Sequence, residues 1–68
     1  MVDIRNSDHK KVGCADPTAE TVEIVDRHHV TYIDFRERTV QISIGDRVTL
    51  IKLHDDGIME VKNTSAIA

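Results

Sequence analysis

Residues 39–61 read TVQISIGDRVTLIKLHDDGIMEV, strand-length apolar runs separated by only two or three residues. That spacing constrains the fold more than any other feature. A parallel crossover needs a dozen residues or more, so runs joined this tightly must pair as antiparallel neighbours. Gly45-Asp46 suits a two-residue hairpin turn with glycine first, where φ is positive. Asp55-Asp56-Gly57 suits a three-residue loop that ends on a left-handed glycine. The turn at Arg36-Glu37-Arg38 has no residue of this kind.

Five runs follow residue 20. TVEIVD puts Val22 and Ile24 on one face, and HVTYIDF puts Ile33 and Phe35 opposite Val30 and Tyr32. TVQISI aligns Val40, Ile42 and Ile44. RVTLIKL sets Val48 and Leu50 against Ile51 and Leu53, and IMEVK aligns Met59 with Val61. The expected fold is an all-β antiparallel meander of about five strands over residues 21–68. Apolar side chains on both faces point to a curled sheet or small barrel, or to a sheet packed on another subunit. Residues 1–20 are polar, hold Gly13 and Pro17, and read as an arm. Val2 and Ile4 alternate with charges, which suits a short strand at 2–5. The segment DPTAE has Asp16 and Pro17 in the order that caps one helical turn. No internal repeat is apparent.

A chain of 68 residues sits near the lower limit for independent folding. Its only aromatics are Tyr32 and Phe35, so the core falls to Val, Ile and Leu. The lone Cys14 forms no internal disulfide. Self-association is the expected supplement, with Leu50, Ile51, Leu53 and Met59 as interface candidates. The N-terminus lacks a secretory apolar stretch and no run is long enough to span a membrane, so the expected location is the cytoplasm.

Nine basic against 12 acidic residues give a net charge of −3, which disfavours a sequence-nonspecific nucleic-acid binder. A meander gathers alternate turns at each end. Asp26, Arg27, His28, His29, Asp46 and Arg47 fall at one end, and Arg36, Glu37, Arg38, His54, Asp55 and Asp56 at the other. Both ends mix charges, as a solvated rim does. His28 and His29 are neighbours, and in a strand they point to opposite faces, so they cannot chelate one ion together. His54 and Asp56 share a face and are weak metal candidates without the spacing of a zinc site. Cys14 has no histidine placed beside it, and Asp34 points outward in the simplest reading. No catalytic residue and no cofactor are expected.

The stretch IGDRVTLIKLHDDGIMEV, residues 44–61, resembles the closing strands of translation initiation factor 1 and other OB-fold domains. It is also similar to the second half of AbrB-like swapped-hairpin transcription factors. In both, a Gly-Asp turn leads into a valine-rich strand, then an Asp-Gly turn and a short strand. An AbrB-like chain carries a short helix before the Gly-Asp turn, where TVQIS runs straight in here. OB-fold RNA binders carry stacking aromatics and a basic face. No family is assigned on this stretch. The expected function is a non-enzymatic binding or regulatory protein that acts as a homo-oligomer on a protein or small-ligand partner. The alternative is a small-barrel nucleic-acid binder using Arg27, Arg36, Arg38 and Arg47 on phosphates, Tyr32 or Phe35 in stacking, and His28 and His29 nearby.

Overall fold

The computed structural model describes residues 1–65. Seven strands follow one another along the chain: β1 (Val2–Arg5), β2 (Lys11–Asp16), β3 (Thr21–Asp26), β4 (His29–Asp34), β5 (Thr39–Ile44), β6 (Arg47–Leu53) and β7 (Met59–Ser65). They form one antiparallel sheet in the order β1-β2-β3-β4-β5-β6-β7. Strands touch only their sequence neighbours.

Three expectations are corrected here. The strand count is seven, because the segment read as an arm supplies β1 and β2. Asn6 reverses the chain between them, with its side-chain oxygen accepting from the N–H groups of Asp8 and Lys10 at 2.9 and 3.1 Å. Residues 17–20 of DPTAE form a four-residue β loop instead of a turn of helix, although Asp16 caps it as expected. Asp16 Oδ1 accepts from Thr18 and Ala19, and Glu20 closes the loop at φ 58°. Finally, the sheet does not close into a barrel, since β1 and β7 pair on one side only.

The third correction has a cause in the register. Directly paired residues of an antiparallel ladder project to the same face. Val2, Ala15, Val22, Ile33, Val40, Ile51 and Val61 lie opposite one another in turn, so one apolar row crosses all seven strands. Ile4, Gly13, Ile24, Thr31, Ile42, Thr49 and Asn63 form the next row on that face. The opposite face carries Asp3, Cys14, Glu23, Tyr32, Gln41, Leu50 and Lys62 in one row, and Asp16, Thr21, Asp34, Thr39, Lys52 and Glu60 in another. The second face also carries Val25, Val30, Tyr32, Val48 and Leu50, but polar residues interrupt them and no apolar row crosses the sheet there.

The sheet is a single layer. Among the described residues no hydrophobic side chain is buried, and Gly13 alone is buried. A packed domain of this length has a radius of gyration of about 11 Å, against 13.3 Å here. Its extents are 35 × 29 × 19 Å. The 19 Å depth far exceeds a pleat and reflects strand twist of roughly 20–25° per neighbour.

The chain also has a repeat that the sequence reading missed. Asp16/Asp34, Thr21/Thr39, Val22/Val40, Ile24/Ile42, Val30/Val48, Thr31/Thr49 and Ile33/Ile51 each stand eighteen residues apart. The geometry repeats with them. Asp34 Oδ1 accepts from Arg36 and Glu37 as Asp16 does from Thr18 and Ala19. The N–H of Phe35 donates to Glu20, and that of Leu53 to Arg38, both at 3.0 Å. The unit over residues 21–38 is a six-residue strand, a two-residue turn, a six-residue strand and a four-residue loop, and from residue 39 the first strand and the turn recur at the same lengths before a seven-residue strand.

The repeat exposes a local weakness. Arg27 and Gly45 occupy equivalent turn positions with φ of 55° and 59°. Only glycine adopts this conformation without a Cβ penalty, and the penalty is roughly 1–2 kcal/mol. Arg27→Gly is expected to stabilise the chain by about 1 kcal/mol in denaturant titration, and Gly45→Arg to destabilise it by a similar amount.

Candidate functional site: an uncovered apolar sheet face

The site is the apolar face itself. Val22, Ile33, Val40 and Ile51 stand in line on four successive strands and are half-buried by each other. Ile4, Ile24 and Ile42 add a parallel line, also half-buried. Toward the margins the cover thins: Val2 is 55% exposed, Val61 54% and Met59 62%. Phe35 continues the β4 alternation beyond the strand and lines a shallow recess together with Pro17 and Val22 at one end of this face. No layer of the described chain covers it.

The surface area agrees. A packed chain of 7.7 kDa exposes about 4,300 Å² by the scaling of surface with mass, and this chain exposes 5461 Å². The excess is on the order of 1,000 Å², comparable to the roughly 800 Å² that each partner gives to a standard interface.

Of the four interface candidates, the register puts Ile51, Leu53 and Met59 on the apolar face and Leu50 on the other, between Gln41 and Lys62. Val2, Ala15, Val22, Ile33, Val40 and Val61 complete the row; all but Ala15 were read from the sequence as alternating strand residues, but none as an interface candidate. The signal was there, because Ala15, Ile33 and Ile51 fall eighteen residues apart, as do Val22 and Val40.

The charged candidates separate as the meander requires. Arg27 and His28 form the β3–β4 turn, His29 opens β4 and Arg47 opens β6, all at one end. Arg36 and Arg38 lie in the β4–β5 loop at the other end. There Arg36 meets Glu20 at 3.6 Å and donates to the Thr18 carbonyl at 2.7 Å, while Arg38 meets Asp55 at 3.1 Å. Such exposed pairs contribute at most about 1 kcal/mol each, but they neutralise the arginines. Tyr32 stands mid-strand on the polar face, between Glu23 and Gln41. The four arginines and Tyr32 therefore share no single surface.

His29 lies on the apolar face beside Asp26 and Ile44, and His28 stays in the turn. His54 Nε2 meets Glu60 Oε1 at 3.4 Å, and Asp56 Oδ1 accepts from the Ile58 N–H, so the two metal candidates are occupied separately. Among the described residues no three His, Cys, Asp or Glu side chains group as metal ligands. Cys14 is half-buried on the polar face between Asp3 and Glu23. Asp34 closes its own loop through Oδ1. Among the described residues no helix is long and apolar enough to cross a membrane.

Comparison with protein families, characterised proteins and solved structures finds no match to this chain.

Proposed function

We propose that this chain is a non-enzymatic assembly and binding subunit, and that its apolar face receives the same face of a second copy. The observation that carries the reading is the unbroken row from Val2 to Val61 across seven strands, which no described residue covers. Two such sheets pack about 10 Å apart and share one core between them. That arrangement turns the polar face and both sets of loops outward, toward a protein or small-ligand partner. Exposed apolar patches of this size mark interaction surfaces, and a single layer gains from a second copy what its own length cannot supply.

Val40 sits next to the middle of the row, so Val40→Lys is the direct test. The wild-type chain is expected to run as a discrete oligomer in native mass spectrometry and light scattering. The variant is expected to assemble at least about a hundredfold more weakly, because an unpaired charge is costly where water is excluded. Its far-UV circular dichroism should stay that of a β-sheet. A wild-type chain that is monomeric at high micromolar concentration with full stability would remove the reading.

A further inference from the structure

The two edges of the sheet are unlike. β1 is four residues long, and its register with β2 shifts between Ile4 and Arg5. Asp3 on that strand meets Arg5 at 3.6 Å and Lys11 at 3.3 Å, while Arg5 also donates to the His9 carbonyl. A short, bulged, charged edge resists further pairing. β7 is neither short nor bulged, and its charges, Glu60 and Lys62, both stand on the polar face. It is seven residues long, each of its residues is exposed, and it pairs with β6 without a break from Leu53↔Met59 to Arg47↔Ser65. It contains no proline, and among the described residues no strand pairs with its outer side.

We infer that β7 is a pairing edge for β7 of a second copy, giving one continuous sheet about a two-fold axis perpendicular to it. This deepens the assembly reading above and rests on the chain being an oligomer. The occupant follows from symmetry and charge. An antiparallel β7–β7 pair is isologous, so every contact occurs twice. Keeping the pleats in step requires a residue to sit on the axis facing its own copy. A register centred on Lys62 sets lysine against lysine, and one centred on Glu60 sets glutamate against glutamate. Centred on Val61, Glu60 of each copy faces Lys62 of the other, twice, on the polar face. The same register sets Val61 against Val61 on the apolar face. The apolar row that begins at Val2 then continues unbroken through the second copy. Charge pairing and apolar continuity select one register, and the joined face remains open to the facing sheet described above.

Cross-linking tests the register. Directly opposed residues of an antiparallel pair have Cα atoms about 4.5–5.5 Å apart, within disulfide reach. In a Cys14→Ser background, Val61→Cys is expected to oxidise to a covalent dimer at low micromolar concentration. Asn63→Cys should not, because its two copies lie four residues apart along the ladder, about 13 Å. Charge reversal tests the pairing. Lys62→Glu is expected to weaken dimerisation about tenfold or more, since two attractive cross-strand pairs become repulsive. Glu60→Lys should act alike, and the doubly reversed E60K/K62E chain should return to within a few-fold of wild type. Circular dichroism of each variant checks that the sheet persists, because Glu60 also meets His54.

Equal cross-linking at 61 and 63, no cross-link at 61, or a double variant as weak as the singles would overturn the edge proposal. If Val40→Lys still dissociates the protein in that case, face-to-face assembly stands without it. A monomeric wild type overturns both.

Discussion

A chain lacking residues 34–51 is expected to fold into a five-stranded sheet. The deletion removes one eighteen-residue unit and joins Ile33 to Lys52, so β4 takes the place of β6 beside β7. The splice keeps the chemistry of the ladder. Ile33 replaces Ile51 opposite Val61, and Thr31 replaces Thr49, whose hydroxyl donates to Asn63 Oδ1 at 2.7 Å. The Leu53 N–H, which donates to Arg38, then finds Glu20, the acceptor that Phe35 uses now. Because strands touch only their sequence neighbours, stability is close to a sum of strand terms and neighbour terms, as in other linear arrays. The shortened chain should give a β-type circular dichroism spectrum and a lower denaturation midpoint. A matched control deletes residues 35–51, one residue fewer. It leaves Asp34 before Lys52 and moves Lys52 onto the apolar face, and a one-residue slip of this kind reverses every following side chain. In that chain β7 is expected to lose its place in the sheet while β1–β4 keep theirs. If the two deletions behave alike, the unit is a sequence coincidence and not a structural module.

The sequence was legible where local chemistry decides and opaque where pairing decides. Runs 21–26, 29–34, 39–44, 47–53 and 59–65 were each anticipated within a few residues, and the face assigned to Val22, Ile33, Tyr32, Leu50, Ile51 and Val61 matches the register. Gly45 and Gly57 take the positive φ their turns required. The strand Lys11–Asp16 was hidden because Gly13 interrupts its pattern, and glycine inside a strand weakens the signal. Two turn positions were hidden because Glu20 and Arg38 adopt left-handed φ without being glycine or asparagine. The repeat was hidden for the same reason, since its copies share Asp, Thr, Val and Ile positions but not their turn residues. The site was visible only as separate apolar residues. That they form one row depends on six registers at once, and no single strand carries that information. Closure into a barrel is likewise a property of the two edges, which no strand's alternation reports.

Gly13→Thr is expected to detach β1 and β2 from the sheet while the remaining strands persist. Threonine is the residue that stands eighteen and thirty-six positions on, as Thr31 and Thr49, so composition alone would permit it. The local geometry does not. A Cβ at Gly13 would overlap the Glu23 carbonyl oxygen and stand 2.9 Å from the Ile24 Cα, both of them backbone atoms of β3. Backbone cannot swing aside as a side chain can, so the β2–β3 ladder must open to admit the substituent. Overpacking of this kind costs about 3 kcal/mol, comparable to what a single strand–strand ladder contributes through its cross-strand pairs. In a packed domain such a lesion would weaken every element through the shared core. Here no shared core exists among the described residues, so the damage stays with the neighbours of Gly13. Hydrogen exchange should show the amides of residues 2–5 and 11–16 losing protection, with those of β4, β5 and β6 close to wild type. A uniform loss across all seven strands would mean that the sheet folds as one cooperative unit, most simply because a covering copy couples its strands. Measuring the variant above and below the concentration at which the protein assembles separates those cases: the loss should be local in the monomer and spread across the sheet in the oligomer.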